Sequence, residues 1–144
     1  MRRMKCLLAA LSLTVVLSSC GGANPVRYDI CVLARDGEVA DGKLVETRAI
    51  GLFGAHGVSL TGRDCPGRFV EWHETNAFRA SAGAVELGDA ISQVRRDPMH
   101  PHSIELTVVG RLIWRMEGTR PHAQINVSQV SEIHLVEELS YPGR

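Results

Sequence analysis

No stretch of this chain stays apolar for long enough to cross a bilayer as a helix, which takes about 20 residues. The longest such run, Cys6–Leu17, has 12 residues and is broken by Ser12 and Thr14, so a permanent transmembrane helix is disfavoured. An excess of basic charge is missing too: 16 Lys and Arg face 16 Asp and Glu. That balance argues against nucleic acid as a partner, because such surfaces are held by clustered Lys and Arg. There is no internal repeat and no low-complexity tract, and the 44% hydrophobic, 22% charged composition is that of an ordinary globular protein. Chemistry-bearing motifs are equally scarce. Without a Gly-x-Ser-x-Gly there is no nucleophile elbow, and without a Cys-x-x-Cys there is no redox pair. The glycine-rich Gly51–Gly57 has neither Gly-x-Gly-x-x-Gly nor the Lys-Ser/Thr of a P-loop. Val58-Ser59-Leu60 after it reads as a strand, so the glycines are those of a hairpin connection.

What the sequence does contain begins at its start. Arg2, Arg3 and Lys5 precede the apolar run, and the small residues Ser18 and Ser19 close it. This is the layout of a secretory signal. Leu17-Ser18-Ser19-Cys20 resembles the lipobox of bacterial lipoproteins, in which a leucine and two small residues precede an invariant cysteine that receives a diacylglycerol before cleavage. The resemblance implies a signal peptide over residues 1–19, lipidation (with palmitate among the acyl chains) at Cys20, and a lipidated tether over residues 20–27. Each buried methylene of such an anchor contributes about 0.8 kcal/mol, and more than one chain makes attachment stable. Gly21 follows Cys20, where an aspartate would resemble an inner-membrane retention signal. The expected location is therefore the outer membrane, facing the periplasm, with the inner membrane as the alternative.

Cleavage changes the arithmetic. Loss of Arg2, Arg3 and Lys5 turns sixteen basic side chains into thirteen against sixteen acidic ones, a formal charge of −3. Of the four cysteines, Cys6 leaves with the signal and Cys20 is acylated, so Cys31 and Cys65 remain to form a disulfide bond in an oxidising periplasm. Such a bridge closes 34 residues and contributes about 3 to 4 kcal/mol on the chain-entropy estimate.

Along the mature chain, Gly21–Pro25 is breaker-rich and flexible. Asp29 caps a short helix with Ile30, Leu33 and Ala34 on one face and Gly37 as its stop; Ile30, Cys31 and Val32 make a strand the competitor. Asp41-Gly42 turns into a strand over 44–52, and a turn over 62–67 precedes a short strand over 68–72. Residues 73–88 read as irregular, because Gly83 and Gly88 oppose a continuous helix. Asp89–Arg96 reads as a short helix, with Asp89 as cap and Pro98 beyond its end. Between Ser103 and Gly118, Ile104, Leu106, Val108, Leu112, Trp114 and Met116 share one parity, the signature of a long half-buried strand. Gly110 on that face marks a bend or bulge. Strands over 123–127 and 133–136 follow, with alternation broken over 128–132, where a bulge fits. Asn126-Val127-Ser128 has the form of a glycosylation sequon but lies in a strand, and 138–144 reads as a tail.

The order predicts a mainly β protein with short helices: a five-stranded OB-like Greek-key barrel, one domain over 28–137, with a helix between the third and fourth strands. Ile30-Cys31-Val32-Leu33, Asp41-Gly42-Lys43-Leu44-Val45 and Cys65-Pro66-Gly67 resemble a family of small uncharacterised bacterial lipoproteins and periplasmic proteins. That family supplies no catalytic residues to carry over, and its pattern usually has a charged or aromatic residue where this chain has Gly54-Ala55.

The candidates for chemistry are few. Met99-His100-Pro101-His102 places two imidazoles and a thioether together, and His100 and His102 could ligate copper or zinc, with further ligands available only if the fold brings His56, His73, His122 or His134 near; a solvated loop is the plainer reading. Trp72 and Trp114 read as core or rim residues, with a stacking role open to either. The expectation is a non-catalytic, cofactor-free binding module held to the membrane by its lipid, with an envelope protein or glycan as partner. A metal-binding lipoprotein is the alternative.

Overall fold

A computed structural model describes residues 23–54, 57–96 and 102–137. It is mainly β with short helices. In chain order it comprises β1 (Val26–Arg27), α1 (Ile30–Asp36), a 3-10 turn (Gly37–Ala40), β2 (Leu44–Gly54), β3 (Gly57–Thr61) and β4 (Val70–Glu74), then α2 (Asn76–Arg79), α3 (Ala82–Arg96), β5 (His102–Glu117) and β6 (Arg120–Glu137). The strands form one mixed sheet ordered β1-β2-β3-β4-β6-β5, and β2 also pairs with β5. Most pairings are antiparallel; β1 with β2 and β4 with β6 are parallel.

The alternation of residues explains the core. On β5, Ile104, Leu106, Val108 and Leu112 are buried, and on β6 so are Ala123, Ile125 and Val127. Apart from the buried Ser103, their neighbours of opposite parity are half-buried or exposed. Alternation on β6 then slips: Val130 is buried, and Ile133 and Leu135 pack against the core. Two register irregularities account for this, because Val109 and Gly110 pair with Gln129 and Val127, and Glu105 and Thr107 with His134 and Ser131. Each inserts one extra residue on β6. The first flips the strand's parity and the second restores it, which keeps an 18-residue strand apolar side inward. Gly110 permits the tight crossing, since a Cβ there would stand 2.5 Å from the Asn126 carbonyl oxygen.

α1 forms as its sequence indicates. Asp29 Oδ1 accepts the Cys31 N–H at 2.7 Å, the Ncap contact of a short polar residue, and the buried Ile30 and Leu33 turn the helix against β2, β3, β4 and β6. The strand reading of this segment is thereby set aside. Gly42, at φ +73°, makes the turn into β2, and backbone bonds between Gly42 and Leu112 and between Leu112 and Lys43 lock that turn to β5.

Three parts of the sequence reading are corrected. Residues 82–96 form one 15-residue helix, not an irregular segment ending in a helix at Asp89. Glycine costs about 1 kcal/mol inside a helix, but at Gly83 it is required: a Cβ would lie 2.5 Å from the Val130 carbonyl oxygen, so only glycine lets α3 approach β6. Ser81 Oγ caps this helix, accepting the Ala84 N–H at 3.3 Å; Asp89 is an interior position. The third predicted strand is displaced to Val70–Glu74, because Arg68 closes a turn with Cys65 through its backbone N–H. Finally, a strand the sequence reading did not include, Val26–Arg27, pairs with Val45 and Glu46, so the segment expected to be tether ends inside the sheet. No helix among the described residues is long and apolar enough to cross a membrane.

Candidate binding groove

The sheet is unevenly paired, and its weakest ladder makes a groove. β3 and β4 meet at only two positions, Ser59 with Glu71 and Leu60 with Val70. Beyond them Gly57 and Val58 remain paired to β2 and Trp72–Glu74 to β6. Where the strands part, a cavity of about 510 Å3 opens, lined by Leu52, Gly54, Gly57, Val58, Ser59, Phe69, Glu71 and Trp72. A volume of this size falls in the roughly 300–1,000 Å3 of small-molecule clefts.

Its composition is amphipathic. Phe69 is 44% exposed, an uncommon state for a large aromatic, because the turn before β4 holds it outside the core while Val70 turns inward and is fully buried. Trp72 stands edge-on to Phe78 at 5.2 Å between ring centroids, an arrangement worth about 0.5–1.5 kcal/mol beyond area burial. Phe78 is itself fixed by α2, whose Thr75 cap accepts the Phe78 N–H and donates to the Val127 carbonyl. The Trp72 indole N–H is shielded from solvent and has no hydrogen-bond partner among the described residues. Glu71 supplies the groove's charge, and its Oε2 lies 3.7 Å from Nε2 of the half-buried His122. The arrangement offers flat apolar surface with a few polar groups at its rim, suited to holding a partner.

The residues singled out in the sequence fall in several places. Cys31 and Cys65 form the disulfide, with Cα atoms 5.7 Å apart; it ties α1 to the connection between β3 and β4. Cys20 and His100 lie outside the described residues, as does His56. His102 begins β5, paired with Glu137. His73 is on β4, and His122 and His134 are on β6, against Arg115 and Glu105 respectively. Among the described residues no three His, Cys, Asp or Glu side chains gather into a metal-holding group. Of the two tryptophans, Trp72 lines the groove and Trp114 packs at its edge of the core, its backbone N–H donated to Asp41 Oδ1 at 2.9 Å. Phe69 and Glu71 were not singled out from sequence. The available signal was parity, since the inward Val70 leaves Phe69 and Glu71 on the opposite face.

Comparison of the chain with protein-family models, with curated proteins and with solved structures finds no match.

Proposed function

We propose that this is a lipid-anchored protein of the bacterial cell envelope, acylated at Cys20, that binds an envelope protein or glycan without catalysing a reaction on it. Leu17-Ser18-Ser19-Cys20 supports the anchor, and Gly21 after it supports a place at the outer membrane facing the periplasm, over the inner-membrane alternative. The Cys31–Cys65 disulfide accords with an oxidising compartment.

The five strands β2–β6 are read as an OB-like Greek-key barrel with β1 laid on its side. Support comes from the closed circuit of pairings from β2 through β3, β4, β6 and β5 back to β2, the parallel β4–β6 contact and the helices between the third and fourth of these strands. OB barrels receive their ligands on the face of the second and third strands, which here are β3 and β4.

The observation that carries the binding reading is the groove at the parting of those two strands, with Phe69 exposed at its rim. In living cells, labelled palmitate should be incorporated into the wild-type chain and not into a Cys20→Ala variant, and crosslinking should trap one defined envelope protein or glycan. Recovery of no specific partner, together with measurable turnover of a substrate, overturns the proposal.

A further inference from the structure

A second concavity lies away from the Phe69 groove, where β1, β2, β5 and β6 adjoin. It measures about 480 Å3, and Arg27, Tyr28, Glu46, Arg48, Thr107 and Glu132 contribute its polar side chains. The β6 bulge at its margin holds Glu132 at φ +50°. This left-handed conformation is unfavourable for a residue other than glycine, and such strain concentrates where a side chain must be aimed. Here the aim is visible: Glu132 Oε2 accepts the Thr107 hydroxyl at 2.6 Å, which fixes the carboxylate over the cleft and leaves its second oxygen without a protein donor among the described residues.

The remaining groups are held in the same way. Arg27 Nε donates to Glu46 at 2.6 Å and Arg48 Nε to Glu105 at 2.8 Å, so the terminal nitrogens of each guanidinium have no acceptor among the described residues. Tyr28 accepts from Lys43 Nζ at 3.2 Å and retains its own proton to donate. Asp29, also at the cleft, spends one oxygen on the α1 cap.

This pattern selects a class of ligand. An anion would gain little from arginines whose charge Glu46 and Glu105 already offset, and would meet the carboxylates of Asp29 and Glu132. A metal ion would need a gathering of at least three ligating side chains that the described residues do not provide. A neutral polyhydroxyl ring requires no charge compensation, and its hydroxyls can accept from guanidinium while donating to carboxylate. We infer that this cleft is a binding site for a neutral saccharide, separate from the Phe69 groove and independent of it.

The test is an NMR titration of the purified full-length protein with a panel of neutral hexose and N-acetylhexosamine tetrasaccharides, with inorganic phosphate and spermidine as charged probes. A neutral tetrasaccharide should shift the amides of Tyr28, Arg48, Thr107 and Glu132. Glu132→Gly, which accepts the backbone conformation and so preserves the fold, and Arg48→Gln should each weaken binding by about tenfold or more. Phe69→Ala should leave it unchanged, so a failure at this cleft is distinguishable from a failure of the envelope-partner reading. The inference is overturned if no neutral saccharide shifts these amides at about 10 mM, a concentration well above a millimolar Kd. It is equally overturned if Glu132→Gly binds as the wild type does, or if phosphate or spermidine produces the shifts in place of the saccharides.

Discussion

β5 and β6 face each other at fifteen positions, whereas β3 and β4 meet at two and are joined by a connection that carries Cys65. The first pair is held by a long ladder and a row of buried aliphatic side chains, and needs nothing more. The second has little ladder to close it, and there the covalent link to α1 is found. A closed, self-sufficient wall thus stands beside an open wall held from outside, and the groove lies in the open one. The difference is physical: each missing pair leaves backbone groups and side-chain faces available to something else, which is a liability in a scaffold and an asset in a binding surface.

The two walls should separate most clearly when the disulfide is removed. Replacing Cys31 and Cys65 with serine should cost about 3 to 4 kcal/mol in chemical denaturation, and hydrogen exchange should accelerate first in β3 and β4. Equal acceleration in β5 and β6 would show that the bridge does not act selectively on the open wall. Gly110→Ala attacks the other wall. The added methyl would press on the Asn126 carbonyl and the Ile125 side chain, so a loss of about 1–3 kcal/mol is expected, with exchange rising across the whole sheet. A smaller effect of opposite sign is expected at Thr47, which is 2% exposed and whose hydroxyl has no partner among the described residues. It sits opposite Val108 in the β2–β5 ladder. Thr47→Val should stabilise the fold by about 1 kcal/mol, since it removes an unsatisfied buried hydroxyl; a loss of stability in thermal or urea unfolding would show that the hydroxyl is satisfied. Phe69→Ala, at an exposed position, should change stability by less than about 0.5 kcal/mol in the same unfolding measurement.

Much of the closed wall was legible in the sequence, because alternation from Ile104 to Leu112 reports one buried face repeatedly; Met116, of the same parity, is 63% exposed, since that face leaves the core toward the end of β5. Even the break over 128–132 was visible as a failure of parity, which is what two bulges produce. The open wall was harder to read. β4 is five residues long, too short for periodicity to fix its ends, so its boundary was misplaced by two residues. β1 has only two residues and no local signal; the parallel partner that defines it lies almost twenty positions away. α3 was obscured for a different reason. Gly83 reads as a helix breaker by propensity, yet it is present because the Val130 carbonyl leaves no space for a side chain, a tertiary demand that local sequence does not reveal. Of the groove, Trp72 drew attention as an aromatic, but the cavity depends on β3 and β4 parting, and strand divergence has no signature in residue order.

The most direct test of the binding reading uses this same contrast between walls. A photo-crosslinking residue placed at position 69, at the groove rim, and another at position 115, on the exposed face of β5, are compared in living cells. The account predicts one defined envelope partner trapped from position 69 and none from position 115. Equal capture from both, or capture from position 115 alone, would contradict it.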